Sequence, residues 1–407
     1  MEKIVINGGT PLFGSVAVSG SKNAALPLIY AALALRGVSY IDNLPDIEDV
    51  RVSLRILRGF GVKIEKSGGA VMIDSTDAEY SPPSDELVSE LRASSYLLGA
   101  CLAAFGRTRV QSFGGCNFDK RPIDMHLSAI RALGGVIDGN DIRADGLVGA
   151  DIFFHKISVG ATVNALIMAA AARGETNIYG PATEPHIVAL ADFLRGAGTQ
   201  VEITPGRIRV LGGELHGSRA TVIPDMIEAG TYLIAGLATG GRVTVTGTDP
   251  AHLSAFTDAI SRAGASVIIN GGEISASADS LTSISIKTAP HPGFATDLQP
   301  QMAALMAVRS GGEICEGVWE SRFGYLSEFS KFGVRSMLSG SSAKIEGGPI
   351  FAARASAGDL RAGAAQVILA LAAKGESVIE NARHVRRGYM NMADKLRALG
   401  AFIEYED

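Results

Sequence analysis

Apolar and polar residues follow a pattern along this chain that repeats six times. Each repeat contains a strand, a helix rich in alanine and leucine, a second strand, an amphipathic helix and two closing strands. The amphipathic helix ends in an apolar residue followed by glycine, the residue most common just past a helix C-terminus. By the differences of their numbers, these glycines lie 64 to 73 residues apart: Gly61, Gly134, Gly198, Gly264, Gly333 and Gly400. The regularity predicts one compact supersecondary unit used six times.

The two helices of a repeat differ in where their apolar residues lie. The first is apolar on nearly all sides, as in residues 164–172 and 366–373, so it must be covered all round. The second, as in residues 187–196, is apolar on one face only. We therefore expect each half of the chain to hold three first helices inside, with sheets and second helices around them. The predicted fold class is α/β with two domains, and repetition alone places the boundary near residue 217.

Length, net charge and cysteine content limit the number of domains, the class of function and the compartment that fit this chain. A chain of 407 residues exceeds what one hydrophobic core usually supports, which also favours two domains. A net charge of −5 and few aromatic residues argue against binding of nucleic acid. The longest apolar runs are shorter than the ~18 residues of a membrane span, and the start alternates like a strand rather than a signal peptide. Cys101, Cys116 and Cys315 lie far apart, which favours a reducing, cytoplasmic compartment and no cysteine-based metal site.

Residues 112–122 place a thiol on a glycine-rich loop. Gly114 and Gly115 free the backbone before Cys116, and Lys120 and Arg121 follow four and five residues later. Because cations favour the thiolate, we expect the pKa of Cys116 to lie below its ordinary value of about 8.5. Such a thiol can act as nucleophile or acid. The alternative is a small hydrophobic residue in a turn, since free cysteine is usually buried.

Residues 19–27 combine a strand, a turn and the start of an apolar helix. They place Lys22 where backbone N–H groups and the helix dipole favour anions. The glycine spacing excludes a Walker A loop. A solvated lysine that caps the helix and a phosphate ligand are both compatible with this pattern.

Together these motifs resemble the enolpyruvyl transferase family over the whole chain. The matching segments occur in the family's order at residues 19–27, 91–93, 114–116, 121–124, 156–162, 288–292, 296–297, 320–323, 359–363 and 387–389. The resemblance implies two domains of three repeated units each, described as inside-out α/β barrels. In that family the first strand crosses to the C-terminal half, so the expected domains are residues 22–224 and residues 1–21 with 225–407.

The resemblance also implies a reaction. The enolpyruvyl group of phosphoenolpyruvate is transferred to the 3′-hydroxyl of UDP-N-acetylglucosamine with release of phosphate, a step of peptidoglycan precursor synthesis, and no cofactor or metal is expected. Both substrates are polyanions, which explains why an acidic protein keeps cations at the matched positions. The implied phosphoenolpyruvate site is Lys22, Asn23, Arg121, Arg322, Arg361 and Arg387. The implied UDP-sugar site is Asn23, Arg92, Arg121, Pro122, Ile123, Asp124, Met125, Lys156, Ile157, Ser158, Val159, Asp297 and Val318.

By the same resemblance, Cys116, Asp297, Lys22 and Arg387 carry the chemistry. Cys116 resembles the family's proton donor, the target of the antibiotic fosfomycin. Asp297 resembles an aspartate that acts as base or orients the sugar hydroxyl, and its alternative is an N-cap of a helix starting at Leu298. Trp319, the only tryptophan, either walls the site or packs at the domain interface.

The chain departs from the family pattern at a few positions, which leaves room for a paralogue with another acceptor. These are Asp119 and Lys120 in the cysteine loop, Met390 where glutamate is usual, and Tyr325 where histidine is common.

Two other functions compete with this one. The first is 5-enolpyruvylshikimate-3-phosphate synthase, whose lysine motif normally continues with Ser/Thr and Arg, where this chain has Asn23 and Ala24. The second is a non-catalytic binder of UDP-sugars. The presence of Cys116 and Asp297 argues against it, because a pure binder needs no proton donor.

Overall fold

The computed structural model describes residues 2–114, 122–319 and 321–406. The predictions for Cys116, Asp119, Lys120 and Arg121 concern residues outside these ranges. The helices are α1 Lys22–Leu35, α2 Glu48–Arg58, α3 Asp85–Ser89, α4 Leu97–Phe105, α5 Asp124–Ala132, α6 Val159–Ala171, α7 Pro185–Gly196, α8 Met226–Thr239, α9 Ser254–Arg262, α10 Gln299–Val308, α11 Leu326–Phe329, α12 Leu360–Ala372, α13 Arg383–Arg386 and α14 Met392–Ala398. Short 3-10 helices cover Arg92–Tyr96, Pro250–Leu253, Thr296–Leu298 and Ser330–Phe332.

The strands are short, from three to six residues. They are β1 Lys3–Gly8, β2 Phe13–Ala17, β3 Val38–Asp42, β4 Lys63–Ser67, β5 Ala70–Asp74, β6 Arg107–Arg109, β7 Val136–Asp138, β8 Asp141–Arg143, β9 Asp151–Phe153, β10 Glu175–Tyr179, β11 Gln200–Thr204, β12 Arg207–Leu211, β13 Arg219–Thr221, β14 Arg242–Thr246, β15 Ser266–Asn270, β16 Glu273–Ser277, β17 Ile284–Lys287, β18 Gly312–Cys315, β19 Ser336–Ser339, β20 Ser342–Ile345, β21 Arg354–Ser356, β22 Gly375–Glu380 and β23 Phe402–Glu406. The α/β fold class expected from the sequence is confirmed.

The described chain forms two compact units. The first unit contains residues 20–114 and 122–223, and the second contains residues 2–19, 224–319 and 321–406. The N-terminal strands belong to the second unit because β1 pairs with β22 and β23, and β2 pairs in parallel with β14. Strand β13 closes the first unit by pairing in parallel with β3.

Each unit is built around three buried helices that pack against one another. These are α1, α4 and α6 in the first unit, and α8, α10 and α12 in the second. Every residue of α1 from Ala24 to Leu35 is buried, and so is every residue of α12 from Leu360 to Leu371. The prediction of helices that are apolar all round and covered on every side is confirmed. No helix in the described ranges combines the length and hydropathy needed to cross a membrane.

Most sheets combine a parallel pair with an antiparallel hairpin. In the first unit the strand orders are β13-β3-β5-β4, β6-β8-β7 and β11-β12-β10-β9, and in the second they are β15-β16-β14-β2, β17-β18-β20-β19 and β21-β22-β1-β23. The expectation that a strand directly precedes every first helix is wrong for the second repeat. There α3 and the 3-10 helix Arg92–Tyr96 precede α4.

The six repeat glycines end helices or helical turns in one common way. All six have positive φ, between 80° and 104°. Each glycine N–H donates to the carbonyl three residues back, and the next N–H donates to the carbonyl five residues back, as from Gly61 to Arg58 at 3.0 Å and from Val62 to Leu57 at 3.4 Å. This is the Schellman arrangement, in which glycine adopts the left-handed conformation at least cost. The predicted C-terminal glycines are therefore confirmed in every repeat.

Candidate active site

Asp297 lies in the 3-10 helix immediately before α10 and pairs with two arginines. Its Oδ1 accepts a hydrogen bond from Arg322 Nη1, and its Oδ2 accepts one from Arg361 Nη2, each at 2.9 Å. The side chains of Arg322 and Arg361 are 6% and 3% exposed, whereas that of Asp297 is 27% exposed. The fold thus brings together three of the residues that the sequence analysis assigned to the two substrates.

The contacts of the Asp297 carboxylate differ from those of the aspartates that begin the other two buried helices of this unit. Asp225 accepts from two N–H groups of the next turn at 2.8 and 3.1 Å, and Asp359 does so at 2.7 and 2.9 Å. Both are N-caps of the usual kind. At α10 the N-cap is Leu298, without a side-chain cap. The N-cap interpretation of Asp297, with a helix starting at Leu298, is therefore wrong.

Tyr389 supports Arg361 from the core of the second unit. Arg361 Nη1 donates to the Tyr389 hydroxyl at 3.5 Å, and the guanidinium carbon lies 5.7 Å from the ring centroid. The same hydroxyl contacts Thr231 Oγ1 at 2.9 Å and accepts from Gln301 Nε2 at 3.1 Å. One side chain from each of α8, α10 and α12 therefore meets at Tyr389. Tyr389 lies in the family-matching segment 387–389, but no role for it was predicted from the sequence.

The protonation of Arg361 depends on its burial and on its pairing with Asp297. Burial alone would lower the pKa of Arg361, but the charges of Asp297 and Asp225, the Tyr389 hydroxyl and the hydrogen bond to Asp297 together outweigh it and raise the pKa of Arg361 above its ordinary value. The guanidinium is thus a permanent cation held in one place. Two further predicted residues of this unit, Val318 and Arg387, are half-buried.

Lys22 is the first residue of α1, and its ammonium group pairs with Asp49 at 3.3 Å. The Lys22 side chain is only 16% exposed, so the interpretation of Lys22 as a solvated cap is wrong. Asp49 lies in the first turn of α2 and is 5% exposed. Asp49 was not predicted from the sequence, although the acidic first turn of α2, Glu48 and Asp49, was a visible signal. Asn23, the next residue of α1, is half-buried.

The residues assigned to the UDP-sugar in the first unit gather at the starts of α5 and α6, which pack together. Asp124 begins α5, and Ser158 caps α6 by accepting from the Ala161 N–H at 3.3 Å. Arg92, half-buried, begins the 3-10 helix that packs on α6. The exposed members are Pro122, Asp124, Lys156 and Ile157, and the more buried ones are Ile123, Met125, Ser158 and Val159. Helix starts present free N–H groups to anions, which suits a diphosphate.

His126 follows Met125 on α5 and was missed by the sequence analysis. It is 4% exposed, and its Nδ1 lies 2.7 Å from Asn164 Nδ2. Asn164 Oδ1 accepts from the Gly99 N–H at 2.8 Å, and this bond orients the amide so that His126 Nδ1 is an acceptor. Burial, with the charge of Arg92, lowers the pKa of His126 to about 4. A neutral imidazole thus packs against Gly160, where a Cβ would lie 3.1 Å from the ring.

We expect acid to destabilise the fold through His126. Its pKa in the folded chain, about 4, lies below the ordinary 6.5, so the unfolded chain binds the extra proton first. The contribution is complete above pH ~6.5 and is lost as the pH falls through 4, by at most about 3 kcal/mol. Urea unfolding of wild type and His126→Asn between pH 7.5 and 4.5 measures it, since the Asn oxygen can replace Nδ1 without titrating.

The exposed His155 provides the control for this experiment, because His155→Asn should follow the wild-type pH dependence. If His126→Asn loses unfolding free energy with pH as steeply as wild type, the assignment fails.

The described part of the cysteine loop ends at Gly114. A Cβ there would lie 1.8 Å from the Ser89 carbonyl oxygen, so the backbones approach too closely for any other residue. The predicted roles of Cys116 and Arg121 stay predictions.

Cys101 is buried within α4, where burial raises the pKa of its thiol far above the ordinary value. Cys315 is half-buried at the end of β18.

Comparison with known proteins places this arrangement in a family. Residues 6–396 match the family described as EPSP synthase (3-phosphoshikimate 1-carboxyvinyltransferase). The UDP-N-acetylglucosamine 1-carboxyvinyltransferase of Clostridium botulinum is 42% identical over 99% of both chains, and UDP-N-acetylglucosamine 1-carboxyvinyltransferase 2 of Clostridium acetobutylicum is 42% identical over 100% of both.

Two solved structures are also similar to this chain over its whole length. The enolpyruvyl transferase NikO from Streptomyces tendae matches with a TM-score of 0.87 and 26% identity, over 100% of this chain and 99% of that one. EPSP synthase from Acinetobacter baumannii, at 20% identity and a TM-score of 0.75 over 100% of both chains, shares the fold. The resemblance drawn from the sequence motifs is confirmed, and the chain belongs to the enolpyruvyl transferase family, with full-length relatives among the UDP-N-acetylglucosamine 1-carboxyvinyltransferases.

Proposed function

We propose that this protein transfers the enolpyruvyl group of phosphoenolpyruvate to the 3′-hydroxyl of UDP-N-acetylglucosamine and releases phosphate, which begins the supply of peptidoglycan precursors. The observation that carries the proposal is the pairing of Asp297 with Arg322 and Arg361 in a chain whose full-length relatives bear this activity in their names. The protein is accordingly a transferase.

The reaction is an addition followed by an elimination. In the addition, the sugar oxygen bonds to the central carbon of phosphoenolpyruvate, its hydroxyl proton is lost, and the methylene carbon gains a proton to become methyl. In the elimination, that methyl group loses a proton, the double bond returns and phosphate leaves. Asp297 takes or orients the hydroxyl proton, and Cys116 supplies the proton to the methylene carbon. Cys116 must be protonated for this step, and the negative charge of bound phosphoenolpyruvate raises its pKa.

The cations divide the anionic groups of phosphoenolpyruvate between them. Lys22, Arg121 and Arg387 serve the phosphate region, and Arg322 and Arg361 serve the carboxylate. The neutral Asn23 contacts the sugar or the tetrahedral intermediate. Arginine suits this role because its planar guanidinium binds a carboxylate through two parallel hydrogen bonds. In the free chain Asp297 is the carboxylate that both arginines hold. If the carboxylate of phosphoenolpyruvate replaces Asp297 as the partner of one arginine, an oxygen of Asp297 becomes available to the sugar hydroxyl.

By the family resemblance, the residues assigned to the UDP-sugar are Asn23, Arg92, Pro122 to Met125 and Lys156 to Val159 of the first unit, and Asp297 and Val318 of the second. Arg121, assigned with them, lies outside the described residues. The helix starts of α5 and α6 supply N–H groups that support diphosphate binding.

Phosphate release with defined substrate pairs tests the proposal. We expect release when phosphoenolpyruvate is combined with UDP-N-acetylglucosamine, and none with either compound alone or with shikimate 3-phosphate. Release with shikimate 3-phosphate would favour the other branch of the family. Binding of the UDP-sugar without turnover would favour a non-catalytic binder.

We also propose that the two compact units are domains with bounds 22–224 and 1–21 with 225–407, each made of three repeated units as an inside-out α/β barrel. The three buried helices at the centre of each unit support this architecture. A cytoplasmic location is consistent with three cysteines that lack a paired spacing.

Fosfomycin should label one thiol. With UDP-N-acetylglucosamine present, we expect one inhibitor mass on the peptide that contains Cys116, because thiolate reactivity follows exposure and nearby cations. Cys116→Asp should abolish the addition and leave some activity. Peptide mass spectrometry reads this out, and Cys101 and Cys315 are internal controls expected to stay unmodified. Label on either of these, or none at Cys116 in an active preparation, would contradict the assignment.

A further inference from the structure

Glu316 is a buried carboxylate next to the candidate site, and the chemistry above gives it no role. It follows β18 and is 2% exposed. Four groups donate hydrogen bonds to it: the hydroxyls of Thr288 and Thr296 at 2.5 and 3.1 Å, and the N–H groups of Val318 and Trp319 at 2.9 and 3.1 Å.

The two carboxylate oxygens of Glu316 accept hydrogen bonds from different parts of the second unit. Oε1 accepts from Thr288, Val318 and Trp319, and so holds the turn that follows β18. Oε2 accepts from Thr296, which directly precedes Asp297. A side chain that only closed the turn would need Oε1 alone. The contact from Oε2 points instead to a role at the site.

Thr296 carries the effect of Glu316 to Arg322. Its Oγ1 accepts a hydrogen bond from Arg322 Nη1 at 2.9 Å, and the same nitrogen donates to Asp297 Oδ1 at 2.9 Å. A threonine hydroxyl has one proton and two lone pairs. Because the proton goes to Glu316, a lone pair remains for the guanidinium. The orientation of Arg322 thus depends on a chain of hydrogen bonds that starts at Glu316.

We propose that Glu316 is a positioning residue that acts through Thr296 to hold the Arg322 guanidinium beside Asp297, in the orientation that receives the carboxylate of phosphoenolpyruvate. The inference rests on the proposed function and refines its arginine site. Preorganised donors of this kind matter because a misplacement of about 1 Å can cost 10²-fold in rate.

Glu316→Gln separates the two functions of the carboxylate. The amide oxygen can keep the bonds to the turn, whereas the amide nitrogen in place of Oε2 can only donate to the Thr296 hydroxyl. Thr296 then loses its charge-assisted hydrogen bond to the carboxylate, and its oxygen gains a second donor that competes with the Arg322 guanidinium. We expect kcat/KM for phosphoenolpyruvate to fall roughly 10- to 100-fold, while the Kd for UDP-N-acetylglucosamine, measured by calorimetry, changes less than about threefold. Glu346→Gln, an exposed glutamate paired with Arg335, is the matched control and should behave as wild type.

A double-mutant cycle tests the route through Thr296. Thr296→Val removes the hydroxyl and should reproduce the loss, Thr296→Ser should recover most of it, and the double variant should be no worse than Thr296→Val, because both changes cut one chain of contacts. Thermal denaturation of each variant reports the folded fraction. Wild-type kcat and KM for phosphoenolpyruvate in Glu316→Gln would overturn the proposal, and so would additive losses in the cycle. Should Glu316→Gln fold poorly, the contrast between Thr296→Val and Thr296→Ser decides, and equal kinetics in these two would overturn it. A wild-type protein without phosphate release would instead refute the proposed function.

Discussion

Turnover is expected to fall by a factor on the order of 10² to 10⁴ when Asp297 is replaced by Asn, the range that removal of a general base gives. The carboxylate has a buried arginine on each oxygen, which sets its direction for the sugar hydroxyl. Asparagine keeps the shape but loses the charge and the ability to take a proton. Initial rates of phosphate release at saturating substrates measure the effect, and calorimetry should show that most affinity for the UDP-sugar is kept.

A matched aspartate controls for the loss of a carboxylate as such. Asp249 caps the 3-10 helix Pro250–Leu253 by accepting from the Ala251 N–H at 3.0 Å, and Asn caps about as well as Asp. Asp249→Asn should therefore be nearly silent in turnover. Turnover of Asp297→Asn within a few-fold of wild type would eliminate the catalytic assignment.

Arg361→Ala is the second change with a large expected effect, on both activity and stability. Truncating a buried, hydrogen-bonded charge costs about 2–5 kcal/mol of binding, so we expect kcat/KM for phosphoenolpyruvate to fall on the order of 10² to 10³-fold. The free energy of unfolding should fall by about 1–3 kcal/mol, since Asp297 Oδ2 and the Tyr389 hydroxyl both lose a donor. Urea denaturation and rates at varied phosphoenolpyruvate concentration measure the two effects.

Arg354 offers a surface comparison in the same unit. It is 64% exposed and pairs with Glu380 at 2.8 Å, so Arg354→Ala should cost less than about 1 kcal/mol and leave turnover unchanged. Arg361→Lys keeps the charge without the planar fork and should fall between wild type and Arg361→Ala. Equal effects of Arg354→Ala and Arg361→Ala would show that Arg361 is an ordinary ion-pair residue.

Local features of this protein were readable from its sequence because they depend on neighbouring residues only. A helix that is apolar all round, such as α1 or α12, can exist only where it is covered, and both are buried. A glycine after the last turn of a helix predicts a left-handed residue, and all six repeat glycines have positive φ. The same logic identified the helix start at Lys22 and the family motifs.

What each motif residue contacts was decided by the tertiary structure. Three aspartates precede buried helices of the second unit and look alike in sequence, yet Asp225 and Asp359 cap their helices while Asp297 binds arginines 25 and 64 residues further on. Other contacts also join separate elements. Lys22 pairs with Asp49, His126 contacts Asn164, and Glu316 accepts a hydrogen bond from Thr296. A sequence records which groups are available, but an ion pair or a buried hydrogen bond needs two groups within about 3 Å, and only the packing of the helices and sheets brings them that close.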